Sequence, residues 1–215
     1  MRVVIAGGHG QIALIIETLL TEAGHQVVGI IRSADQTSDL AAVGAEPLLL
    51  DLESSDVESL AEALVGADAV VFAAGGGPSS GAARKLTVDR DAAVLLADAA
   101  VQAGVRRYVM ISAMAADGFD PDSDEVFQIY LRAKSEADAA VRARDLDWTI
   151  IRPGGLTDDP PTGRVQVADS TGPGSVPRAD VAAAVVEVLL SGAGIGAQFE
   201  LVAGEVDLRT ALQGL

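Results

Sequence analysis

The stretch that decides the fold is RVVIAGGHGQIA, residues 2–13. Its apolar beginning predicts a strand, and the continuation to Ala23 predicts a helix. Between the two, Gly7 allows a tight turn, Gly10 lets the backbone approach a pyrophosphate, and Ala13 is small enough for the helix to pack on the strand. Backbone N–H groups and the helix dipole would then hold an anion. The stretch therefore predicts a dinucleotide-binding turn rather than a ligand-free glycine turn.

The rest of the chain repeats this alternation of a short β-branched run with a longer helical stretch. Alternating units of this kind predict an α/β protein with a parallel sheet and helices on both faces. Right-handed crossovers make it a Rossmann-type doubly wound sheet of about seven strands, ordered 3-2-1-4-5-6-7. The predicted strands are Val3–Ala6, Gln26–Ile30, Glu46–Leu49, Ala69–Phe72, Arg107–Ile111, Trp148–Ile151 and Gln198–Leu201. The predicted helices are Gln11–Ala23, Gln36–Val43, Val57–Leu64, Arg84–Ala103, Glu125–Arg144 and Arg178–Leu190. Glycines expected just after helix ends are Gly24, Gly44, Gly66 and Gly104.

The length of 215 residues suits one domain spanning residues 1–215. Two segments interrupt the alternation. Residues 75–81 form a glycine-rich loop, and residues 152–177, which are rich in proline, predict a short substrate-side loop region. Both follow strands at their carboxyl ends, where ligands bind in open α/β sheets.

Composition excludes several classes of function. The chain has no cysteine, so disulfides, thiolate ligands and cysteine nucleophiles are excluded, and with only two histidines we expect no metal site. A net charge of −16 argues against nucleic acid and anionic membranes as partners. Because Met1 leads directly into a strand, we expect no signal peptide and a cytoplasmic location. The expected partner is a small-molecule substrate, and the expected state is a monomer or weak homodimer.

The end of the second predicted strand indicates which cofactor is bound. NAD-specific sites usually place an acidic residue here, whereas this chain has Arg32 followed by Ser33. A guanidinium suits a 2′-phosphate by charge and geometry, which favours NADP(H). Asp35, close by, argues for NAD, and Arg32 is alternatively a solvated surface residue. His9 in the glycine turn either contacts phosphate or is solvated.

The third and fourth strands end in residues suited to the rest of the cofactor. Asp51 is placed to accept from the adenine amine and Leu52 to cover the ring, although Asp51 is alternatively a helix-start residue. Small residues after the fourth strand would let the cofactor cross the strand ends. The cofactor-binding residues predicted from these patterns are Gly7, His9, Gly10, Gln11, Ile12, Arg32, Ser33, Asp51, Leu52, Ala73, Ala74 and Gly75.

A tyrosine and a lysine are candidates for the chemistry. Tyr130 and Lys134 are four residues apart in a predicted helix and so share one face. A nearby ammonium favours tyrosinate, which predicts a lowered Tyr130 pKa and a group that can protonate a carbonyl oxygen. Phe127, one turn earlier, would line a substrate pocket or anchor the helix.

Taken together, these features resemble the atypical short-chain dehydrogenases/reductases, of the small NAD(P)H-binding group related to epimerase/dehydratase enzymes. The resemblance covers nearly the whole chain. It rests on Gly7-x-x-Gly10-x-x-Ala13, residues 101–111 leading to Ser112, Tyr130-x-x-x-Lys134, Arg152-Pro153-Gly154-Gly155 and Pro177-Arg178-x-Asp180-Val181-Ala182.

The resemblance implies a role for each matching position. Tyr130 would be the acid/base with Lys134 as its partner. Pro153 and Gly154 would line the nicotinamide end of the cofactor. Asp180 would be a helix-start residue that orders the last region.

Two positions depart from the family pattern. The family commonly ends the fifth strand in two serines, of which the second is usually catalytic, whereas this chain has Ser112-Ala113. Ser112 is therefore the candidate third catalytic residue if the register allows it, and otherwise Ala113 occupies that position. Asp89 stands where extended relatives have an asparagine.

The resulting hypothesis is an NADPH-dependent oxidoreductase that transfers hydride to a small carbonyl, quinone or flavin-like substrate. One alternative is a regulatory protein that senses NADP(H) without turnover, since fold alone does not decide function. The other is an epimerase/dehydratase-like enzyme, although the short region after the sixth strand disfavours sugar nucleotides.

Overall fold

One sheet of nine strands organises the computed structural model, which describes residues 1–77 and 79–215. Pro78, part of the predicted glycine-rich loop, lies outside the described residues. The strand order is β3-β2-β1-β4-β5-β6-β10-β8-β11. The strands of this sheet are β1 (Arg2–Ala6), β2 (Gln26–Ile31), β3 (Glu46–Leu49), β4 (Ala69–Phe72), β5 (Arg107–Ile111), β6 (Asp147–Pro153), β8 (Arg164–Ala168), β10 (Ala197–Ala203) and β11 (Val206–Asp207). The predicted Rossmann-type order of seven parallel strands is confirmed, with β10 as the seventh.

Strands β8 and β11 extend the sheet beyond the seven that were predicted. Both are antiparallel, β8 to β10 and β11 to β8. The prolines of residues 152–177 predicted a loop, but Arg164–Ala168 alternates in burial and pairs with the edge that β10 leaves open. In the same region, β7 (Gly155–Thr157) and β9 (Ser175–Pro177) form a separate two-stranded sheet. The region between β6 and α7 therefore contains three short strands rather than loop alone.

The helices follow the predicted alternation. They are α1 (Gln11–Glu22), α2 (Thr37–Ala42), α3 (Val57–Ala63), α4 (Ala82–Arg84), α5 (Ala93–Ala103), α6 (Val126–Arg142), α7 (Arg178–Ser191) and α8 (Leu208–Leu212). The helix predicted over Arg84–Ala103 is interrupted by a π-helical segment, Lys85–Ala92, and α8 was not predicted. Positive φ angles of 73–81° are found at all four glycines predicted after helix ends, Gly24, Gly44, Gly66 and Gly104. None of the described helices is both long and apolar enough to cross a membrane.

Two aliphatic cores cover the two faces of the sheet. On one face α1, α2, α7 and α8 pack against the sheet, and on the other α3, α5 and α6 do so. Because side chains alternate along a strand, Val109 and Ile111 enter the first core, whereas Tyr108 and Met110 enter the second. The face that α6 covers is therefore the one on which Tyr108 and Met110 lie.

A carboxyl group is buried beneath the glycine turn. Glu17 of α1 is fully buried, and neither of its oxygens has a hydrogen-bond partner among the described residues. It fills the space that Gly8 and Gly29 leave, since a Cβ on either glycine would lie within 2.9 Å of Glu17 Oε1. Burial raises the pKa of Glu17 to about 8, so the carboxyl is protonated at neutral pH.

The raised pKa of Glu17 predicts a pH-dependent stability. Between the ordinary glutamate pKa and about 8, the unfolded chain has lost this proton whereas the folded chain keeps it. The free energy of unfolding therefore falls as the pH rises through this window, and the contribution of Glu17 no longer changes above it. Each pKa unit corresponds to about 1.4 kcal/mol. We expect Glu17→Gln to remove this slope in urea unfolding measured from pH 5 to 9. The matched control, Glu62→Gln at an exposed position, keeps the slope. Equal slopes in both variants would contradict the assignment.

Candidate functional site

The glycine turn brings the end of β1, the end of β4 and the start of α1 together. Gly7 has φ +82°, and a Cβ there would lie 2.6 Å from Ala74 Cα. Gly10 N–H donates to Gly7 O at 2.9 Å, and Gly10 is the N-cap residue of α1. No side chain of the described residues caps this helix and its first turn has no acidic residue, so its first N–H groups remain available to an anion.

A cleft of about 300 Å³ opens beside this turn at the carboxyl ends of the strands. It brings together most of the residues that were predicted to bind the cofactor, namely Gly7, His9, Gly10, Arg32, Asp51, Leu52, Ala73, Ala74 and Gly75. Five predicted residues are not in its lining: Gln11, Ile12, Ser33, Pro153 and Gly154. Lining residues that the sequence interpretation missed are Ile30, Ile31, Gln36, Leu50, Glu53, Gly76, Gly77, Arg84 and Val88. Most of these residues are neighbours in sequence of predicted residues. Arg84 and Val88 are different, because they belong to the segment that follows the glycine-rich loop.

Of the five predicted residues outside the lining, Gln11, Ile12 and Ser33 follow lining residues in the chain, whereas Pro153 and Gly154 come from the end of β6, which contributes no residue to the lining. Gln11 and Ile12 begin α1, where Gln11 is exposed and Ile12 packs on the core. Ser33 is half-buried after β2. Pro153 ends β6 and its carbonyl accepts from Met114 N–H at 3.0 Å. Their contacts with a cofactor stay predictions.

Gly154 has a packing reason to be glycine. A Cβ on Gly154 would collide with Gly174 O and would lie 2.9 Å from Val202 Cγ1. Gly154 N–H donates to Leu201 O at 3.0 Å, which ties the region after β6 to β10.

His9 is held by side chains from the segment after β2. Its Nε2 lies 2.7 Å from Asp39 Oδ2, and Gln36 Nε2 lies 3.2 Å from its Nδ1. His9 thereby joins the glycine turn to the segment that follows Arg32. A contact between His9 and phosphate stays a prediction, since both ring nitrogens have protein partners here.

Asp51 lines the cleft and also orders its own loop. Its Oδ1 accepts from Glu53 N–H at 3.1 Å, and its carbonyl accepts from Ser55 Oγ at 2.7 Å. The helix-start alternative for Asp51 is wrong, because α3 is capped by Asp56, which accepts from Ser59 N–H at 2.9 Å.

The tyrosine and the lysine lie on the buried face of α6. Lys134 is buried, and its Nζ lies 5.9 Å from the centre of the Tyr130 ring. The same Nζ donates to Ile111 O at 3.3 Å, at the carboxyl end of β5, and forms an ion pair with Asp89 at 3.3 Å. Asp89 also accepts from Gly76 N–H at 3.0 Å. The pair therefore stands at the carboxyl edge of the sheet and is linked to the cleft through Asp89 and Gly76.

The expected lowering of the Tyr130 pKa is wrong. Burial raises the pKa of Tyr130, and the carboxylates of Asp89 and Asp138 add to the rise, while Lys134 opposes it. Burial also opposes the charge of Lys134, but Asp89, Tyr130 and Asp138 together raise its pKa. At neutral pH the site therefore holds a neutral phenol and a charged lysine.

Ser112 lies on the face of the sheet that α6 covers. It continues the alternation of Tyr108 and Met110, so Ser112, not Ala113, shares this face with Tyr130. Its hydroxyl is buried and donates to Asp138 Oδ2 at 2.8 Å. A hydroxyl has one proton to donate, and here the carboxylate receives it. A role for Ser112 toward substrate stays a prediction.

Asp138 and Arg152 form a buried ionic network that the sequence interpretation missed. Arg152 Nε donates to Asp138 Oδ2 at 2.8 Å, and its other nitrogens hold Asp117 at 2.7 and 3.0 Å. Asp138 stands eight residues after Tyr130, on the same helix face, and that spacing was the available signal. The network fixes α6 against the ends of β5 and β6.

Asp180 orders the loop before β8, as the family resemblance implied. It is buried in the first turn of α7, accepts from Gly163 N–H at 2.9 Å, and accepts from the backbone N–H and hydroxyl of Thr162 at 3.0 and 2.9 Å. In the described part of the chain, no group of three or more histidines and carboxylates is placed to hold a metal ion.

The fold and the cleft define an NAD(P)H-binding protein of the Rossmann type, and comparisons with known proteins agree. The family model for NAD(P)H-binding proteins matches residues 7–191. The uncharacterized sugar epimerase YhfK of Bacillus subtilis is 37% identical over 216 residues, 100% of each chain. A UPF0659 protein of Saccharomyces cerevisiae is 33% identical, covering 100% of this chain and 99% of its own.

Solved structures show the same fold. A protein described as an NAD-dependent epimerase/dehydratase from Bacillus halodurans superposes with a TM-score of 0.91 at 31% identity, over 100% of both chains. The oxidoreductase ylbE from Lactococcus lactis has a TM-score of 0.87 at 26% identity, over 100% of this chain and 96% of its own. The chain belongs to the NAD(P)H-binding family of this oxidoreductase- and epimerase-like class.

The close approach at Gly7 predicts a specific loss of cofactor binding. Gly7→Ala introduces both positive-φ strain and a collision with Ala74, whereas Gly24→Ala, at φ +81° with open space around it, introduces only the strain. We expect Gly24→Ala to lose about 1–2 kcal/mol in urea unfolding from the strain alone, and Gly7→Ala to lose more because of the collision. Only Gly7→Ala should bind NAD(P)H at least about tenfold more weakly in a fluorescence titration. Equal affinities in the two variants would contradict the role of the turn.

Proposed function

We propose that this protein is an NADPH-dependent reductase in which Tyr130 protonates a substrate oxygen. The observation that carries the proposal is the protonated Tyr130 beside a charged Lys134, linked by Asp89 to a cleft built for a dinucleotide. A neutral phenol at working pH is in the form that a general acid requires. The substrate class we propose is a small carbonyl, quinone or flavin-like compound.

The residues of the cleft fit NADPH. Gly7 leaves a space that a Cβ would fill, and the uncapped start of α1 offers N–H groups to the pyrophosphate. Of the two arginines in the lining, Arg84 is paired with Glu53 at 3.0 Å, while Arg32 is exposed at the end of β2. An exposed guanidinium at that strand end supports a 2′-phosphate ligand, and hence NADPH over NADH.

The chain's own residues would handle the proton. When bound, the nicotinamide supplies a hydride. Tyr130 would donate its phenolic proton to the oxygen that gains charge, and Lys134 stabilises the tyrosinate left behind. Asp89 and Ile111 O keep the Lys134 ammonium in place throughout. At neutral pH the phenol of Tyr130 is in the protonated form that reduction needs.

A second candidate is an NADP(H)-sensing protein that does not turn the cofactor over. Two contacts favour it: Asp89 already neutralises Lys134, and the Ser112 hydroxyl is already used by Asp138. Fold cannot separate the two candidates, but turnover can. Tight NADPH binding without oxidation on a panel of quinones, flavins, aldehydes and ketones would select the sensor.

An epimerase-like activity is the third candidate, since one relative is described as a sugar epimerase. The region between β6 and α7 is short, and nearly half of it forms the strands β7, β8 and β9. Little chain is left there to enclose a sugar nucleotide, so we rank this candidate below the reductase.

Replacing Tyr130 tests the reductase directly. We expect Tyr130→Phe to lower kcat by about 100-fold or more, because the proton donor is lost, while NADPH affinity is kept. The matched control is Tyr108→Phe, which removes the hydroxyl of the second of the two tyrosines. This hydroxyl donates to Ala93 O in the core at 3.0 Å. That control should cost about 1 kcal/mol of stability and leave kcat unchanged. Full activity in Tyr130→Phe would overturn the assignment.

Cofactor preference has a separate test. We expect Arg32→Ala to bind NADPH about tenfold or more weakly and NADH unchanged, because only the 2′-phosphate loses a charged partner. Arg209→Ala, which removes the same charge from an exposed arginine of α8, serves as the control for net charge. If wild-type protein shows no NADPH advantage, or if the advantage survives in Arg32→Ala, the argument from Arg32 is wrong.

A further inference from the structure

The π-helical segment Lys85–Ala92 lies between the glycine-rich loop and the helix that carries Tyr130. A π-helix is rare, and short π-helical interruptions occur frequently at functional sites. Here the segment brings two buried charged side chains, Lys85 and Asp89, to the same side. The family resemblance assigns no role to Lys85.

Lys85 has an unusual set of partners. It is only 7% exposed, its Nζ donates to Gly77 O at 2.7 Å, and the same Nζ lies 5.1 Å from the centre of the Tyr130 ring. Within the described residues, its ammonium forms no ion pair with a carboxylate. A buried ammonium is costly unless it is compensated, and here a carbonyl and the face of an aromatic ring do so.

Asp89 makes a parallel connection one turn later. One of its carboxylate oxygens accepts from Gly76 N–H and the other pairs with Lys134. Lys85 thus joins Gly77 to Tyr130, and Asp89 joins Gly76 to Lys134. The two connections run between the same two elements, the cleft loop and α6.

We infer that Lys85 is a positioning residue for Tyr130: its ammonium joins the Gly77 carbonyl in the wall of the cofactor cleft to the ring of Tyr130 and holds the two in register. This inference rests on the proposed function for its catalytic consequence. Its structural consequence is that a ligand contacting Gly75–Gly77 changes the environment of the Tyr130 ring. A proton donor must be held within a few tenths of an ångström of its productive position, and small displacements cost large factors in rate.

The direct test is NMR of protein labelled with [13Cζ]tyrosine. The chain has only two tyrosines, so two signals are expected, and Tyr130→Phe identifies which one belongs to Tyr130. In wild-type protein, adding NADPH should move the Tyr130 signal. In Lys85→Met, which keeps the length of the side chain and removes its charge, the Tyr130 signal should shift and its response to NADPH should be lost, while the Tyr108 signal stays in place.

Kinetics supply the second measurement, with a quinone such as menadione as the electron acceptor. We expect Lys85→Met to lower kcat about 10-fold to 100-fold with less than about a threefold change in the KM for NADPH. Lys85→Arg, which keeps the cation, should restore most of kcat. The matched control is Arg90→Met on the same π-helical segment, whose guanidinium pairs with Asp91 and Glu136 near the surface. It should leave both the Tyr130 signal and kcat unchanged.

The outcomes separate this inference from the proposed function. An unchanged Tyr130 signal and NADPH response in folded Lys85→Met overturns the inference, whether or not the protein is a reductase. Absence of turnover in wild-type protein overturns the reductase and leaves the NMR test intact. If Lys85→Met does not fold, Lys85→Gln keeps a polar N–H donor, on a side chain one bond shorter, and removes the charge over the ring. An unmoved Tyr130 signal in that variant also overturns the inference.

Discussion

The backbone contact between the turn after β1 and the end of β4 is the constraint on which the site depends. Gly7 lies so close to Ala74 that no side chain fits between them, and Gly8 N–H donates to Ile30 O at the end of β2. The turn is thus held against both neighbours of β1 in the sheet. Because of this, the start of α1 points at the carboxyl edge, and the cleft is the space that remains between that helix start and the strand ends.

Buried charges hold the other half of the site. Tyr130, Lys134 and Asp138 follow one another at four-residue spacing on the buried face of α6, and each meets a different neighbour. Lys134 pairs with Asp89, and Asp138 pairs with Arg152 of β6 and Ser112 at the end of β5. Breaking a buried pair leaves an uncompensated charge, so each pair resists displacement of α6. The helix is therefore positioned by charge as well as by its aliphatic contacts.

Local patterns predicted most of the fold and half of the residues that line the cleft. Three features are encoded within a few neighbouring residues: the turn from Gly7 to Ala13, the apolar runs of the strands, and the glycines after helix ends. What was missed depends on distant residues. β8 pairs only because β10 leaves an edge open, and Lys85 reaches Tyr130 only because a π-helix turns it there. The Tyr130 pKa was expected to fall because the sequence shows Lys134 four residues away. The sequence does not show how deeply Tyr130 is buried, and burial raises the pKa more than Lys134 lowers it.

A protein with a net charge of −16 must still attract an anionic cofactor, and the surroundings of the turn show how. The first turn of α1 has no acidic residue, and the one carboxyl beneath the turn, Glu17, is kept protonated by burial. Asp39 is engaged by His9, and Arg32 stands exposed at the neighbouring strand end. Asp51 and Glu53 line the cleft, but the turn itself has no acidic residue. Since charges act most strongly at short range, this favours the phosphates at the turn despite the acidic surface elsewhere. The buried Glu17 thus lowers the stability of the fold while keeping the phosphate turn free of negative charge.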